Sequence, residues 1–480
     1  MLGAVGRHAI KDVWEGNLSR QVIQHLDSRE VEWTSIDVVR IGEVGESFHP
    51  VILWIGVRLK SLSGEDGTKV ACSCKEILVR FGIVDVDVEI RVSSVTFLGG
   101  PKLLATVRSS NPTVDIRKPL TPTLGLPISG KLTPWAEGTG GFFVAEGGGS
   151  KRVFLVTARH VVFEPGRDDN NTFEYKPPGP PGHEVILLSD AAFENYLRSI
   201  KDKIRGQEFE IEYQERRVAA ARDAPDDMVK RREDAEYKLA EAKRAIEALK
   251  AFYEEVSERW KNPERRVLGN VIYSPPIKLG FGTEKCTQDF AVIDIDPCKI
   301  DGTNFKGNVI ALTNKETEIP KFSAMMSPIP WGAHHFEYPR GSLLRLKGTI
   351  PYQDMCHPPT LDQDGRPCLP VLKHGNATGL TVGRANDIRS CVRNYYEDGT
   401  TNFSMEWAIL PFDHKSGAFS APGDSGAVVA DGGGRIGGII TGGAGWTPAK
   451  DITYVTSINS IMEGIKVKFP EAHLNPDLRA

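Results

Sequence analysis

Between residues 190 and 262 the chain stops resembling the sequence on either side of it. The flanks are short apolar runs separated by glycine and proline. This stretch is densely charged and contains one glycine, Gly206. Ala235, Leu239, Ala242, Ile246, Leu249, Tyr253, Val256 and Trp260 recur at alternating steps of four and three, the heptad of a coiled coil. Phe193, Leu197, Ile200, Ile204, Ile211 and Val218 give a weaker version upstream. Asp223-Ala224-Pro225 lies between the two, with Pro225 suited to a first helical turn. The pattern predicts an antiparallel helical hairpin whose arms are each roughly 45 Å long at 1.5 Å per residue. Two uses stay open: a self-packed surface insertion, or an arm for a protein partner or self-association.

Around this insertion the texture is that of a β protein. Glycine is frequent, 48 of 480 residues, and there are 31 prolines, as expected for many short strands joined by turns. Residues 1–108 read differently, as a small α/β domain. Leu18, Val22, Ile23 and Leu26 have helical spacing within 17–30, and 69–81 predicts a second helix. Residues 33–41 and 51–60 read as strands. Val84, Val86, Val88, Ile90 and Val92 alternate with polar residues, a strand with one wet face. This domain contains no chemical motif and reads as a docking or regulatory module. A proline-rich linker is expected at 109–137. A β domain over 138–300, carrying the hairpin, and a second over 301–480 complete the chain.

Composition narrows the function. The net charge of −4 and pI near 6.3 argue against a general nucleic-acid binder. No window of about 18 apolar residues exists to span a membrane. The first residues lack a basic segment followed by an apolar one, so no secretory signal is expected. Seven cysteines, an odd number scattered along the chain, do not form a disulfide framework. Together these predict an intracellular, cytoplasmic protein. Cys356-His357 with Cys368 lacks a second close pair, and Cys72-Ser73-Cys74 is not a metal pair by itself. No metal or organic cofactor is expected.

The chemistry sits in three places. An apolar run, Phe154-Leu155-Val156, ends in Thr157-Ala158-Arg159, and His160 follows. Gly423-Asp424-Ser425-Gly426 precedes the apolar run 427–430, a Gly-rich turn and Ile436-Gly437-Gly438-Ile439-Ile440. Serine is a poor nucleophile without an adjacent base, and acyl transfer needs amide donors for the developing oxyanion. The two glycines allow a tight turn in which the Gly423 and Ser425 amides point the same way. A carboxylate should orient the histidine. Asp289 stands at the mouth of the apolar strand Phe290-Ala291-Val292-Ile293. Asp294 and Asp296 compete for the role, but alternation places them on a wet face, so Asp289 is preferred.

Thr-Ala-Arg-His around His160, Asp-Phe-Ala-Val-Ile from Asp289 and Gly-Asp-Ser-Gly around Ser425 resemble the trypsin-like (chymotrypsin-fold) serine peptidases. Their His, Asp, Ser order is that family's order. Gly138-Thr139-Gly140-Gly141-Phe142-Phe143-Val144 looks like the family's entry strands. Lys373-His374-Gly375-Asn376-Ala377-Thr378-Gly379-Leu380-Thr381 resembles a second-barrel strand of HtrA-like, bacterial and fungal members. The likeness covers about residues 125–465. His160 and Asp289 lie 129 positions apart, too far for a compact barrel until the helical hairpin, more than half of that distance, is set aside.

The resemblance implies a mainly β fold: two six-stranded antiparallel β-barrels, with the hairpin 190–262 inserted in the first. It implies a serine endopeptidase acting on protein or peptide substrates through a catalytic triad, His160, Asp289 and Ser425, with the Gly423 and Ser425 amides as oxyanion hole. By the same resemblance Phe419 lies at the base of the primary pocket, with Thr441, Gly442 and Gly443 as walls. An aromatic base favours an uncharged, small or medium apolar side chain. Cleavage after Arg or Lys would instead point to Asp413. Two departures stand out. Val161 replaces the cysteine of many secreted members, and no Ile-Val-Gly-Gly-like start precedes Gly138 to supply a liberated amino terminus for Asp424. The oxyanion hole is therefore expected to form without that step, or through an internal partner. The alternative function is a catalytically silent scaffold of the same fold, acting through the helical arm and N-terminal domain.

Overall fold

The computed structural model describes residues 2–42, 49–58, 61–93, 100–175, 182–220, 229–313, 318–329, 336–362, 364–395, 401–445 and 451–478. It divides into two compact units, Met1–Leu98 and Gly99–Ala480.

In the first unit the strands Leu2–Gly3, Trp33–Ile41, Val51–Val57 and Asp87–Val92 form one sheet in that order. The last two are parallel and are joined by the helix Gly64–Arg80. Parallel neighbours need such a crossover. Ser63 caps this helix by accepting from the Asp66 amide. Leu18, just before the helix Ser19–Ser28, and Val22 and Leu26 within it pack with Leu53, Ile55, Val70 and Ile77 in a core of their own. The unit ends earlier than the boundary expected at 108. Leu103 is buried in the second unit's core, and its amide donates to Lys299 there.

The expected linker is not a linker throughout. Leu126–Gly130 and Thr133–Gly140 are paired strands. Prolines hid them: Pro127 sits within a strand, where it contributes its carbonyl, accepting from the Leu188 amide. The first large sheet runs Thr133–Gly140, Leu126–Gly130, Glu184–Leu187, Val267–Ser274, Ala291–Ile295, Ser150–Thr157, Phe142–Gly147, with Phe173–Glu174 beside Val267–Ser274. It is a half-barrel. Its two outermost strands are consecutive in the chain and separated only by Gly141, so the backbone itself bridges the open side. A Cβ at Gly141 would lie 2.2 Å from the Gly426 carbonyl oxygen, so only glycine fits there.

The second large sheet is a closed ring. Gly379–Ala385, Leu369–Gly375, Val428–Asp431, Ile436–Ala444, Ile452–Ser457 and Thr401–Pro411 pair in that order, and the last returns to the first. Ser390–Tyr395 pairs on the outside of Thr401–Pro411. The chain is thus mainly β, with a half-barrel, a closed ring and added helices. No helix among the described residues is long and apolar enough to cross a membrane.

The helices Asp190–Ala220 and Val229–Arg259, 31 residues each, lie between the paired strands Glu184–Leu187 and Val267–Ser274. The break at Asp223-Ala224-Pro225 lies outside the described residues. The seam is the heptad face: Ala235, Ala242, Leu249 and Val256 are buried, with Leu239, Ile246 and Tyr253 half-buried. The root differs from a self-contained hairpin. Phe193, Tyr196, Ile200, Phe252, Val256 and Trp260 belong to the core of the second unit. Arg266, buried, donates to the carbonyls of Leu188, Trp260 and Lys261 and pairs with Asp190, tying both ends of the insertion together. Trp260→Ala is therefore expected to cost about 3–5 kcal/mol of stability. Leu239→Ala, out along the seam, should cost less than half as much. Urea denaturation of both variants checks this, and equal losses would contradict a root shared with the core.

Candidate active site

His160 follows Ser150–Thr157 and lies in a single helical turn, Arg159–Val162. Asp289 lies between the strands Cys286–Gln288 and Ala291–Ile295. The pairing Ala291↔Thr157 brings these two chain segments side by side. One Asp289 oxygen lies 2.6 Å from His160 Nδ1, and the other accepts the His160 amide at 3.2 Å. Both oxygens thus hold the histidine, one through the ring and one through the backbone. Asp289 is 5% exposed and the His160 side chain 26%. Burial pulls the His160 pKa down, but the Asp289 charge and hydrogen bond outweigh it, and the net direction is up. The rival carboxylates are engaged elsewhere: Asp294 pairs with Arg152 at 2.8 Å, and Asp296 accepts the Cys298 amide.

Arg159 is a buried cation that the sequence reading passed over. It donates to Ser274 O and Oγ, Pro275 O, Asp169 O and Asn171 O. Ser274 Oγ in turn donates to the Phe290 carbonyl, next to Asp289. Arg159 therefore anchors the turn bearing His160 to the end of the strand Val267–Ser274, which Ser274 links on to Phe290 beside Asp289.

Ser425 lies in a turn where Gly423 has φ +103° and Gly426 φ +88°, left-handed conformations that favour glycine. Thr139 takes both nearby carbonyls: its hydroxyl donates to Gly423 O at 2.9 Å and its amide to Ser425 O at 2.8 Å. The Gly423 and Ser425 amides have no acceptor among the described residues. A Cβ on Gly426 would lie 2.3 Å from Thr157 Oγ1 and 3.1 Å from the Ala158 amide nitrogen. The serine turn is thus seated on the end of the strand that carries His160. No hydrogen bond joins Ser425 to His160 among the described residues. Such bonds are often long before substrate binds.

Asp424 is fully buried, and its internal partner is Lys373. Lys373 Nζ lies 2.9 Å from Asp424 Oδ2, with both side chains at 0% exposure. Asp424 also accepts from Thr378 Oγ1 (2.6 Å) and from the amides of Ala377 (2.8 Å), Thr378 (3.2 Å) and Ala421 (3.1 Å). Burial pushes the Asp424 carboxyl up, but the Lys373 charge and these donors carry it below the usual carboxylate range. A Cβ on Gly375 would fall 2.2 Å from Asp424 Oδ1, so the hairpin approaches this closely only because glycine stands there. Lys373 lies inside the quoted stretch 373–381. Its signal was a lysine directly after the apolar run Leu369-Pro370-Val371-Leu372.

A cavity of about 630 Å³ lies beside the histidine, lined by His160, Asp289, Thr441, Gly442, Gly443 and Glu406, among others. Phe419 is not among them. It is 1% exposed and packs in the core of the ring with Val371, Ile409 and Ile440. Asp413 lines a different cavity. Glu406 escaped the sequence reading. It is buried and accepts from the Thr287 amide at 2.7 Å and from Thr456 Oγ1 at 3.2 Å, and burial pushes its carboxyl pKa up despite these donors. Among the described residues no group of three His, Cys, Asp or Glu side chains is placed to hold a metal ion.

No protein-family model matches the chain, and no curated protein matches its sequence. Among solved structures it is similar to serine proteases. Protease A of Thermobifida fusca aligns at 13% identity and TM-score 0.30, over 72% of this chain and 95% of that one. A glutamic-acid-specific serine protease that uses a histidine triad in substrate binding aligns at 13% and 0.29, over 71% and 95%. The chymotrypsin of Cellulomonas bogoriensis aligns at 16% and 0.20, over 37% and 66%. The functional reading rests on the site's own geometry rather than on these loose superpositions.

Two outcomes follow from the electrostatics. Only neutral imidazole can accept a proton, so reactivity of Ser425 toward a fluorophosphonate should rise as pH rises through a value above the ordinary 6.5 of histidine. Asp289→Asn removes both raising influences and leaves burial, so the inflection should move to lower pH; an unmoved inflection would separate Asp289 from His160. Lys373→Met strands a buried Asp424 charge and should lower stability by about 3–5 kcal/mol. Because the folded Asp424 pKa lies below its unfolded one, the stabilisation is present at neutral pH and is lost as pH falls through the folded value. Denaturant melts of Lys373→Met at pH 7 test the pair, and a loss below about 1 kcal/mol would refute it.

Proposed function

We propose that the protein is a serine endopeptidase of the trypsin-like class. In this reading the half-barrel and the ring are the two six-stranded barrels of a chymotrypsin-like fold, and the helical hairpin is a coiled-coil insertion in the first. The observation that carries the reading is the His160–Asp289 contact, with the Ser425 turn seated on the strand end that bears His160.

Ser425 Oγ attacks the scissile carbonyl while His160 Nε2 takes its proton. Asp289, bonded to Nδ1, fixes the tautomer that leaves Nε2 free to accept, and it stabilises the imidazolium that results. The new C–O bond puts negative charge on the carbonyl oxygen. The Gly423 and Ser425 amides, without an acceptor among the described residues, hold that charge. His160 then gives its proton to the departing amine and leaves an acyl-enzyme on Ser425. Water, deprotonated by the same imidazole, hydrolyses the ester. Substrate side chains enter the cavity along Thr441, Gly442 and Gly443. Ile277, Leu279, Val392 and Tyr454 make its walls largely apolar. Glu406, one of the carboxyls lining it, has its pKa raised by burial.

A fluorophosphonate is expected to label the full chain at Ser425 and to fail on Ser425→Ala. Ser425→Ala and His160→Ala should each lower kcat by several orders of magnitude, with the double variant no slower than either, because the groups act as a unit. Additive losses would refute the assignment. Absence of labelling in the parent would favour the silent scaffold acting through its helical arm.

A further inference from the structure

A second cavity, about 970 Å³, shares no lining residue with the one beside His160. Its walls include Phe322, Met325, Leu380, Val382 and Phe412, and its cations are Lys118, Lys203, Lys321 and Lys415. The carboxylates lining it are already engaged. Asp115 pairs with Lys118 at 3.1 Å, Glu318 accepts the Thr313 hydroxyl at 2.8 Å, and Asp413 accepts the Lys415 amide at 2.7 Å. The ammonium groups of Lys203, Lys321 and Lys415 meet no carboxylate among the described residues. A half-open, partly apolar cavity of this size, lined by four lysines against three carboxylates, suits a ligand that has an apolar body and an anionic head.

The cavity shares an element with the serine turn. One side is the hairpin made by Leu369–Gly375 and Gly379–Ala385. Successive side chains of a strand point to opposite faces. Lys373 therefore reaches Asp424 on one face, while His374 lines the cavity on the other. His374 Nδ1 is buried without a partner among the described residues, against Gly125, where a Cβ would lie 2.3 Å away. Burial, with help from Lys118 and Lys373, draws its pKa down to about 3, so the ring is neutral. Thr381 also lines the cavity, and its hydroxyl donates to the carbonyl of Phe419, six residues before Ser425. At the tip of the same hairpin Ala377 and Thr378 bind Asp424.

We propose that this cavity binds a small amphipathic anion and that the bound ligand steadies the Ser425 turn through the hairpin 369–385. Contacts to His374, Leu380 and Val382 restrict the hairpin from one face. The Lys373, Ala377 and Thr378 groups that hold Asp424 then fluctuate less on the other. Ligand and ordered turn favour each other by the same free energy, a coupling that needs no change of mean structure. Binding and steadying are independent of the peptidase reading; only the consequence for activity rests on it.

The test uses the full-length Ser425→Ala protein, so that failure of the peptidase reading leaves it intact. Dodecanoate below its micellar concentration is titrated by calorimetry, with dodecyltrimethylammonium as the opposite charge. One saturable site for dodecanoate, with none for the cation, is expected. Lys321→Glu combined with Lys415→Glu, both exposed positions, should weaken binding at least tenfold. Saturation should slow amide hydrogen exchange over residues 421–427 by threefold or more, and not in the lysine variant. The proposal falls if no saturable site is found, if the cation binds equally, or if the lysine changes leave affinity intact. Saturation without slower exchange also overturns it.

Discussion

Two charges at zero exposure, Lys373 and Asp424, hold the Ser425 turn where it is. Taking an ammonium and a carboxylate out of water is expensive, and their attraction repays it only with good geometry and further hydrogen bonds. Here Asp424 gathers four further donors, and Lys373 adds contacts to Thr378 Oγ1 and the Gly379 carbonyl. An arrangement this fully satisfied tolerates few alternatives. It ties the residue before Ser425 to the tip of a hairpin in the same ring, and Thr139 ties the turn across to the half-barrel. The Gly423 and Ser425 carbonyls are taken up by Thr139, and the amides of the same residues have no acceptor among the described residues.

This arrangement makes an amino terminus released by cleavage unnecessary as a partner for Asp424. A lysine from a neighbouring strand supplies the positive charge from within the folded chain.

How much of this could be read from residues alone follows from sequence distance. His160, Asp289 and Ser425 stand in short local patterns, and the heptad of the arm is a repeat, so each is visible in a window of a few residues. Lys373 and Asp424 are 51 positions apart, and nothing local says that they meet. Glu406 is hidden for the same reason, because its partners Thr287 and Thr456 come from distant strands. Strands around Pro127 and Pro134 were lost because proline breaks the alternation that marks a strand. Phe419 shows the opposite failure. Counting back from the serine reaches the right neighbourhood, but the count does not say whether the ring faces a pocket or the core, and here it packs in the core. The arm's root was missed because Trp260 and Phe193 fit the helical spacing equally well whether they face a partner helix or a sheet.

Asp289 and Glu406, buried carboxyls of one cavity, are held in different ways. Asp289 gives both oxygens to His160, and its charge raises the imidazole pKa. Glu406 lines the same cavity, but burial drives it toward the acid form. The two differ in what satisfies them: Asp289 meets an imidazole, whereas Glu406 meets the Thr287 amide and the Thr456 hydroxyl, neutral donors that leave burial as the larger influence.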